Sequence, residues 1–322
     1  MRAILYEAYG PPETLELGDI QKPVPGDSEV LIRVRASSVN PLEWHFMRGE
    51  PYAMRLVSGL TRPKANRLGV DLAGVVEDVG RDVTLFGPGD EVYGAANGAY
   101  AEYVCAPVDA LAPKPKNLTF EQAAAVPIAA WTALQFLRDK GGVGPGQRVL
   151  VNGAAGGVGT FAVQIAKAFG AEVTGVCSTR NVDLVRSIGA DHVIDYTRDD
   201  FTEGEASYDL VLDTIGNHSL FDCRKVMSPE GKLLMVGGPD GRWLGPLSYM
   251  LKSQISAPFV SQEVVSYTAR RSSEDLRFLN ELFESGKVVP AIDRQYELSD
   301  VPEAIAYLEE GHARGKVVVT IP

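Results

Sequence analysis

Three cysteines in 322 residues, Cys105, Cys177 and Cys223, are few, odd in number and without a C-x-x-C pair. A disulfide framework is not expected, and a reducing compartment, the cytoplasm, is. Histidine is scarcer than a metal protein would suggest: His45, His192, His218 and His312 stand singly. Positive charge is short as well, with 31 Lys plus Arg against 42 Asp plus Glu, a net charge of −11 and no basic cluster. Such a surface repels a polyanion, so nucleic acid is not an expected partner. No apolar run reaches the ~18 residues of a membrane span. The N-terminus regains charge at Glu7, before the apolar core of a signal peptide could form.

What is present suits a globular chain of two domains: 45% hydrophobic and 23% charged residues, with 33 Gly and 20 Pro to make turns. The character changes near residue 115. Before it, short alternating runs at 30–35, 73–79, 90–93 and 100–104 are cut by Gly and Pro and read as strands. After it, Thr119 and Gln122 have the spacing of a capping box, and a helix is expected through Leu137. From Arg148, near-continuous apolar runs at 149–151, 172–176, 192–195, 209–213, 232–237 and 263–267 alternate with helical segments. Six such strands predict a parallel, doubly wound sheet covered on both faces, an α/β fold that binds a dinucleotide. Past Lys287 a short helix from Pro302 and a strand, 316–321, resemble the first domain resumed. The expected domains are therefore 1–118 completed by 288–322, and 119–287.

The turn from Asn152 to Gly159, with Gly153, Gly156, Gly157 and Val158, follows the first of these strands and opens an apolar helix at Thr160. Glycines there let backbone approach a pyrophosphate, and the helix N-terminus offers unpaired N–H groups. Where the second strand ends, an NAD enzyme would place a carboxylate on the ribose. Here stand Ser178, Thr179, Arg180 and Asn181, whose hydroxyls, amide and guanidinium suit a 2′-phosphate with no carboxylate in that stretch to repel it. NADPH is the expected cofactor. Lys316 and Arg314, at the last strand, are further candidates for a phosphate.

Over essentially its whole length the chain resembles the quinone oxidoreductase, or zeta-crystallin-like, branch of the medium-chain dehydrogenase/reductase superfamily. The matching stretches are 36–45 (ASSVNPLEWH), 69–76 (GVDLAGVV), 87–92 (GPGDEV), the glycine turn, and 189–196 (GADHVIDY). The resemblance implies a GroES-like β-rich domain, a Rossmann domain and an active site in the cleft between them. It sets Asn40, Val70 and Ile128 where zinc-dependent relatives carry metal ligands; Val and Ile cannot ligate, so no metal is expected.

The same resemblance puts Asn40 beside the nicotinamide, where it could bond substrate oxygen, and Tyr52 where related reductases have an active-site tyrosine. His45 falls where relatives have a cofactor-contacting Lys or a relay His. Thr132, Gly237, Gly238, Phe259 and Val260 match positions around the nicotinamide, and Tyr196 one near the adenosine phosphate. Each has a plainer reading as a turn, packing or solvated residue. The apolar stretch 242–259 reads as a lid over a small hydrophobic substrate. The strand at 264–268 would be a sheet edge, which by resemblance pairs in a homodimer.

Without zinc, hydride transfer to a quinone or to the alkene of an α,β-unsaturated carbonyl is favoured, since conjugation carries the charge to an enolate or hydroquinone anion. The alternatives are a non-catalytic NADPH-binding structural or redox-sensing protein and an alcohol dehydrogenase working without metal.

Overall fold

Period-two alternation of apolar residues makes strands through Pro113. In the computed structural model, which describes residues 1–238 and 261–322, β1 (Arg2–Leu5) and β2 (Glu16–Asp19) form an antiparallel ribbon. β3 (Glu29–Val39), β4 (Asp71–Val79), β5 (Glu91–Ala95), β6 (Tyr103–Pro107) and β7 (Leu111–Pro113) enter a seven-stranded sheet completed by β14 (Ile292–Glu297) and β15 (Lys316–Thr320). Its order is β14-β15-β3-β4-β5-β7, with β6 also on β3. Val30, Ile32 and Val34 point from β3 into a core shared with Val317 and Val319 of β15. Between β3 and β4 lie two helices, α1 (Pro41–Arg48) and α2 (Arg55–Ser58).

The near-continuous apolar runs form a second, six-stranded sheet from β8 (Arg148–Asn152), β9 (Glu172–Cys177), β10 (His192–Asp195), β11 (Tyr208–Asp213), β12 (Met227–Met235) and β13 (Glu263–Ser266). All pairs are parallel and the order is β10-β9-β8-β11-β12-β13. Renumbered from β8 this is 3-2-1-4-5-6, the doubly wound dinucleotide order.

The expected helix from Phe120 to Leu137 is instead two, α3 (Phe120–Ala124) and α4 (Pro127–Leu134), followed by a wide turn over Gln135–Gly141. Pro127 has no N–H to continue the ladder and its ring disfavours helical Val126, so the chain restarts there. The capping box holds: Gln122 N donates to Thr119 Oγ1 (3.2 Å) and Thr119 N to Gln122 Oε1 (3.0 Å).

Two compact units emerge, Met1–Trp131 with Arg271–Gly286 and Pro290–Pro322, and Thr132–Arg270 with Lys287–Val289. They divide at places other than 118 and 288 because side chains of the first unit reach α8 (Ser273–Glu284), the helix that follows α7 (Leu220–Arg224) among the described residues. Tyr93 Oη donates to Leu276 O (3.0 Å) and Asn280 Oδ1 (2.6 Å), Asn117 Nδ2 to Phe283 O (2.8 Å), and Trp131 Nε1 to Ser272 O (2.9 Å). α9 (Val301–Glu309) packs Val301, Ala304 and Ile305 into the first unit's core. Among the described residues no helix is long and apolar enough to cross a membrane.

Candidate active site

In the first unit a buried polar cluster gathers where β3, β4, β15 and the start of α4 meet. β3 ends at Val39, Asn40 precedes α1, and Pro41 opens that helix with the fixed φ the first turn needs. The Asp71 carboxylate is at the centre, fully buried at the first position of β4. Its Oδ2 accepts from Ser38 Oγ (2.6 Å) and Asn40 Nδ2 (2.9 Å), and its Oδ1 from the main-chain N–H of Ile128 (2.9 Å). The Lys316 ammonium, 3.4 Å from Oδ2, supplies the countercharge and also donates to Asn40 Oδ1 and Val39 O. A buried charge is tolerated only with such partners.

Glu43 completes the cluster. Its Oε2 accepts from Asn40 N (2.8 Å), while Oε1 has no partner among the described residues. Burial, and next the Asp71 charge, push this carboxyl up to about 8, so it holds its proton at pH 7.

His45 and Tyr52 lie on α1 and on the turn before α2. The Glu50 carbonyl is 2.8 Å from His45 Nδ1 and can only accept, which puts the proton on Nδ1 and makes Nε2 the basic nitrogen. The Tyr52 ring lies 4.8 Å from the Arg55 guanidinium, which stacks on Tyr9 (4.5 Å) from another side. Arg55 is itself fixed by Nε to Gly49 O (2.9 Å).

In the second unit the glycine turn has the expected form. Gly153 takes φ +86°, and a Cβ on Gly159 would fall 2.1 Å from Gly153 O, so both positions require glycine. α5 (Gly157–Ala168) begins without a side-chain cap. The first-turn N–H groups of Gly157, Val158 and Gly159 have no intrahelical acceptor and form a cradle for an anion. The turn is braced by Asn152, whose Nδ2 donates to Asp213 Oδ1 and Asn217 Oδ1 (both 2.9 Å).

Ser178, Thr179, Arg180 and Asn181 follow β9 as expected, with α6 (Val182–Ser187) beyond them, and Thr179 and Arg180 are exposed. Two details differ from the sequence reading. Asn181 is 8% exposed and turns its Nδ2 to Ser178 Oγ (3.2 Å), so it supports the turn from inside. A carboxylate does stand nearby: Asp195, from β10, accepts from Thr179 Oγ1 (2.6 Å) and from Thr197 Oγ1 (2.8 Å). The Thr179 hydrogen bond first of all holds Asp195 below the usual carboxylate range. Pairing across strands brought it there, which no local reading could show.

Tyr196 is exposed, anchored by its N–H to Cys177 O (3.0 Å) at the same end of the sheet. Gly237 and Gly238 follow β12, with Gly237 N donating to Asp213 O (3.2 Å), and Thr132 is half-buried on α4. Phe259, Val260 and the segment 242–259 lie outside the described residues. Lys316 is a correction: 3% exposed, it serves Asp71 and Asn40 inside the first unit and cannot reach a phosphate. Sequence reasoning passed over Asp71, Glu43, Ser38, Arg55 and Asp213. An acid at the mouth of an apolar strand, as in Asp71-Leu-Ala-Gly and Leu-Val-Leu-Asp213, was the available signal.

Zinc does not fit this donor set. Val70 and Ile128 offer no ligating side-chain atom, and among the described residues no three His, Cys, Asp or Glu are placed to hold a metal. The pyrophosphate of NADPH does fit the uncapped first turn of α5, whose N–H groups have no intrahelical acceptor.

Residues 26–116 match the alcohol dehydrogenase GroES-like domain, and residues 188–319 match the family described as zinc-binding dehydrogenase. The chain is 33% identical to a chloroplastic quinone oxidoreductase of Triphysaria versicolor, over 99% of this chain and 98% of that protein. It is 34% identical to a chloroplastic NADPH-dependent alkenal/one oxidoreductase of Arabidopsis thaliana, over 99% of this chain and 79% of that protein. The structure of Escherichia coli quinone oxidoreductase complexed with NADPH is similar with a TM-score of 0.86 at 26% identity, covering 99% of this chain and 100% of that one.

Proposed function

Because the chain belongs to the quinone oxidoreductase branch of the medium-chain dehydrogenase/reductase superfamily, we propose that it is an NADPH-dependent reductase of quinones or of the activated alkene of α,β-unsaturated carbonyls, working without metal. The observation that carries this reading is the Asp71 cluster, where Asn40 Nδ2 and the Ile128 N–H both bond the carboxylate; Asn40, Val70 and Ile128 are the residues that the resemblance sets at the metal positions, and the two aliphatic side chains have no ligating atom.

When bound, NADPH supplies a hydride, two electrons and one hydrogen, and leaves as NADP⁺. The N–H groups of Gly157, Val158 and Gly159 would hold its pyrophosphate, and Arg180 with Ser178 and Thr179 would hold the 2′-phosphate. Tyr196 would flank the adenosine side, and Thr132, Gly237 and Gly238 would line the nicotinamide. Asn40 donates its second amide hydrogen to the acceptor's carbonyl oxygen. From there Asn40 would stabilise the negative charge that reduction of a conjugated alkene places on that oxygen as an enolate. One proton then returns to carbon, or to oxygen for a quinone, from Tyr52, with His45 Nε2 as the relay to solvent. The acceptor is a small hydrophobic molecule, the protein a cytoplasmic homodimer.

NADPH oxidation by EDTA-treated protein, with a simple quinone, a simple enone and NADH in parallel, tests this reading. Turnover that resists the chelator and prefers NADPH is expected, and the better acceptor fixes the substrate class. NADPH binding with no turnover on either acceptor would remove the catalytic reading.

A further inference from the structure

Asn40 has an unusual set of partners for a side-chain amide. An amide oxygen and nitrogen are easily interchanged, but here each faces a group of one character only. The Lys316 ammonium can only donate, so it takes Oδ1; the Asp71 carboxylate, ionised against that ammonium, can only accept, so it takes Nδ2. The dipole of the amide therefore has one orientation, fixed by a charge of opposite sign at each end.

Two consequences follow from elementary electrostatics. A cation at Oδ1 withdraws electron density along the amide and makes the remaining Nδ2 hydrogen a stronger donor, and in surroundings this dry the effect is not screened by water. That hydrogen is also left over. Asn40 is 3% exposed, Nδ2 gives one hydrogen to Asp71, and the second has no acceptor among the described residues. A buried donor half satisfied is uncommon and calls for a partner.

We propose that Lys316 is a positioning residue for the reaction: its ammonium polarises and orients Asn40, so that an aliphatic metal position is compensated by a fixed protein cation acting through one amide. Asp71 neutralises the ammonium where it is buried and aligns the other end of the amide. Lys316 touches neither acceptor nor cofactor. This rests on Asn40 bonding the acceptor oxygen, and the two statements fail separately.

The test is a double-mutant cycle on the full-length protein. Lys316→Met leaves Asp71 as an unpaired buried charge and can fail to fold, so the working variant is Asp71→Asn with Lys316→Met, which removes both charges together. NADPH affinity, read by fluorescence titration, should match wild type because the cofactor residues lie in the other unit. The acceptor KM should change little. kcat should fall about 10- to 100-fold, less than the ~10²- to 10³-fold typical of losing an oxyanion donor outright, which is the fall expected for Asn40→Ala. In the Asn40→Ala background the paired replacement should cost nothing more, since Lys316 acts only through that amide. Wild-type kcat in the paired variant with an impaired Asn40→Ala enzyme overturns the role of Lys316 alone. A paired variant that slows the Asn40→Ala enzyme as much as wild type also overturns it. An Asn40→Ala enzyme with wild-type kcat removes the reading of Asn40, and the inference with it.

Discussion

Glu43 is a carboxyl enclosed with a second one, Asp71, and a single ammonium, Lys316. In the unfolded chain it titrates near the ordinary 4.5, and in the folded protein near 8. Between those values the folded state holds a proton that the unfolded state has lost, so stability falls as pH rises through the window. The contribution is whole below about 4.5 and gone above about 8. Glu43→Gln keeps an oxygen for Asn40 N–H but cannot ionise. Urea denaturation from pH 5 to 9 should show wild type losing stability toward alkaline pH and the variant with a flatter profile. Parallel profiles would mean that Glu43 ionises normally in the fold.

At the scale of elements, the turn joining β8 to α5 leaves no room for a side chain. Gly159→Ala puts a methyl 2.1 Å from Gly153 O and must push the turn and the helix apart. Overpacking of this kind costs about 1–3 kcal/mol, here concentrated at the nucleotide cradle. A weaker NADPH affinity at little change in secondary structure is expected, read by calorimetry and circular dichroism. Unaltered affinity would place the nucleotide elsewhere.

This turn was legible in the sequence because strand, glycines and helix are contiguous, and the strands were legible because a buried parallel strand is apolar throughout and a half-buried one alternates. The break at Pro127 was missed under the alanine-rich pattern that spans it. The Asp71 cluster was legible only at Asp71 itself: an acid in an apolar strand signals a buried charge but carries no mark of its partner, and Lys316 is 245 residues away in sequence. Asp195 came to Thr179 by the pairing of β9 with β10, again from beyond the local window.

For the whole molecule, the six-stranded sheet has β13 as its outer strand among the described residues, with one side of its backbone unpaired by any other described strand. An open edge of this kind joins a second copy readily. Light scattering at micromolar concentration should give twice the 34.7 kDa of one chain. A mass of a single chain would exclude the homodimer.

The first unit is assembled from both ends of the chain, and this imposes an order on its birth. β3 must wait for β15, and Val39 and Lys316 are 277 residues apart. At about 5–20 residues per second of synthesis, β3 leaves the ribosome tens of seconds before its neighbour exists, with Asp71 in β4 still lacking its cation. The whole second unit emerges within that interval and is free to fold first. The nascent protein thus carries a finished nucleotide-binding half and an unfinished half in which β3, already beside β4 and β6, leaves Ala36–Val39 open on the side that β15 will take, a species that needs shielding by chaperones until the last strand is made.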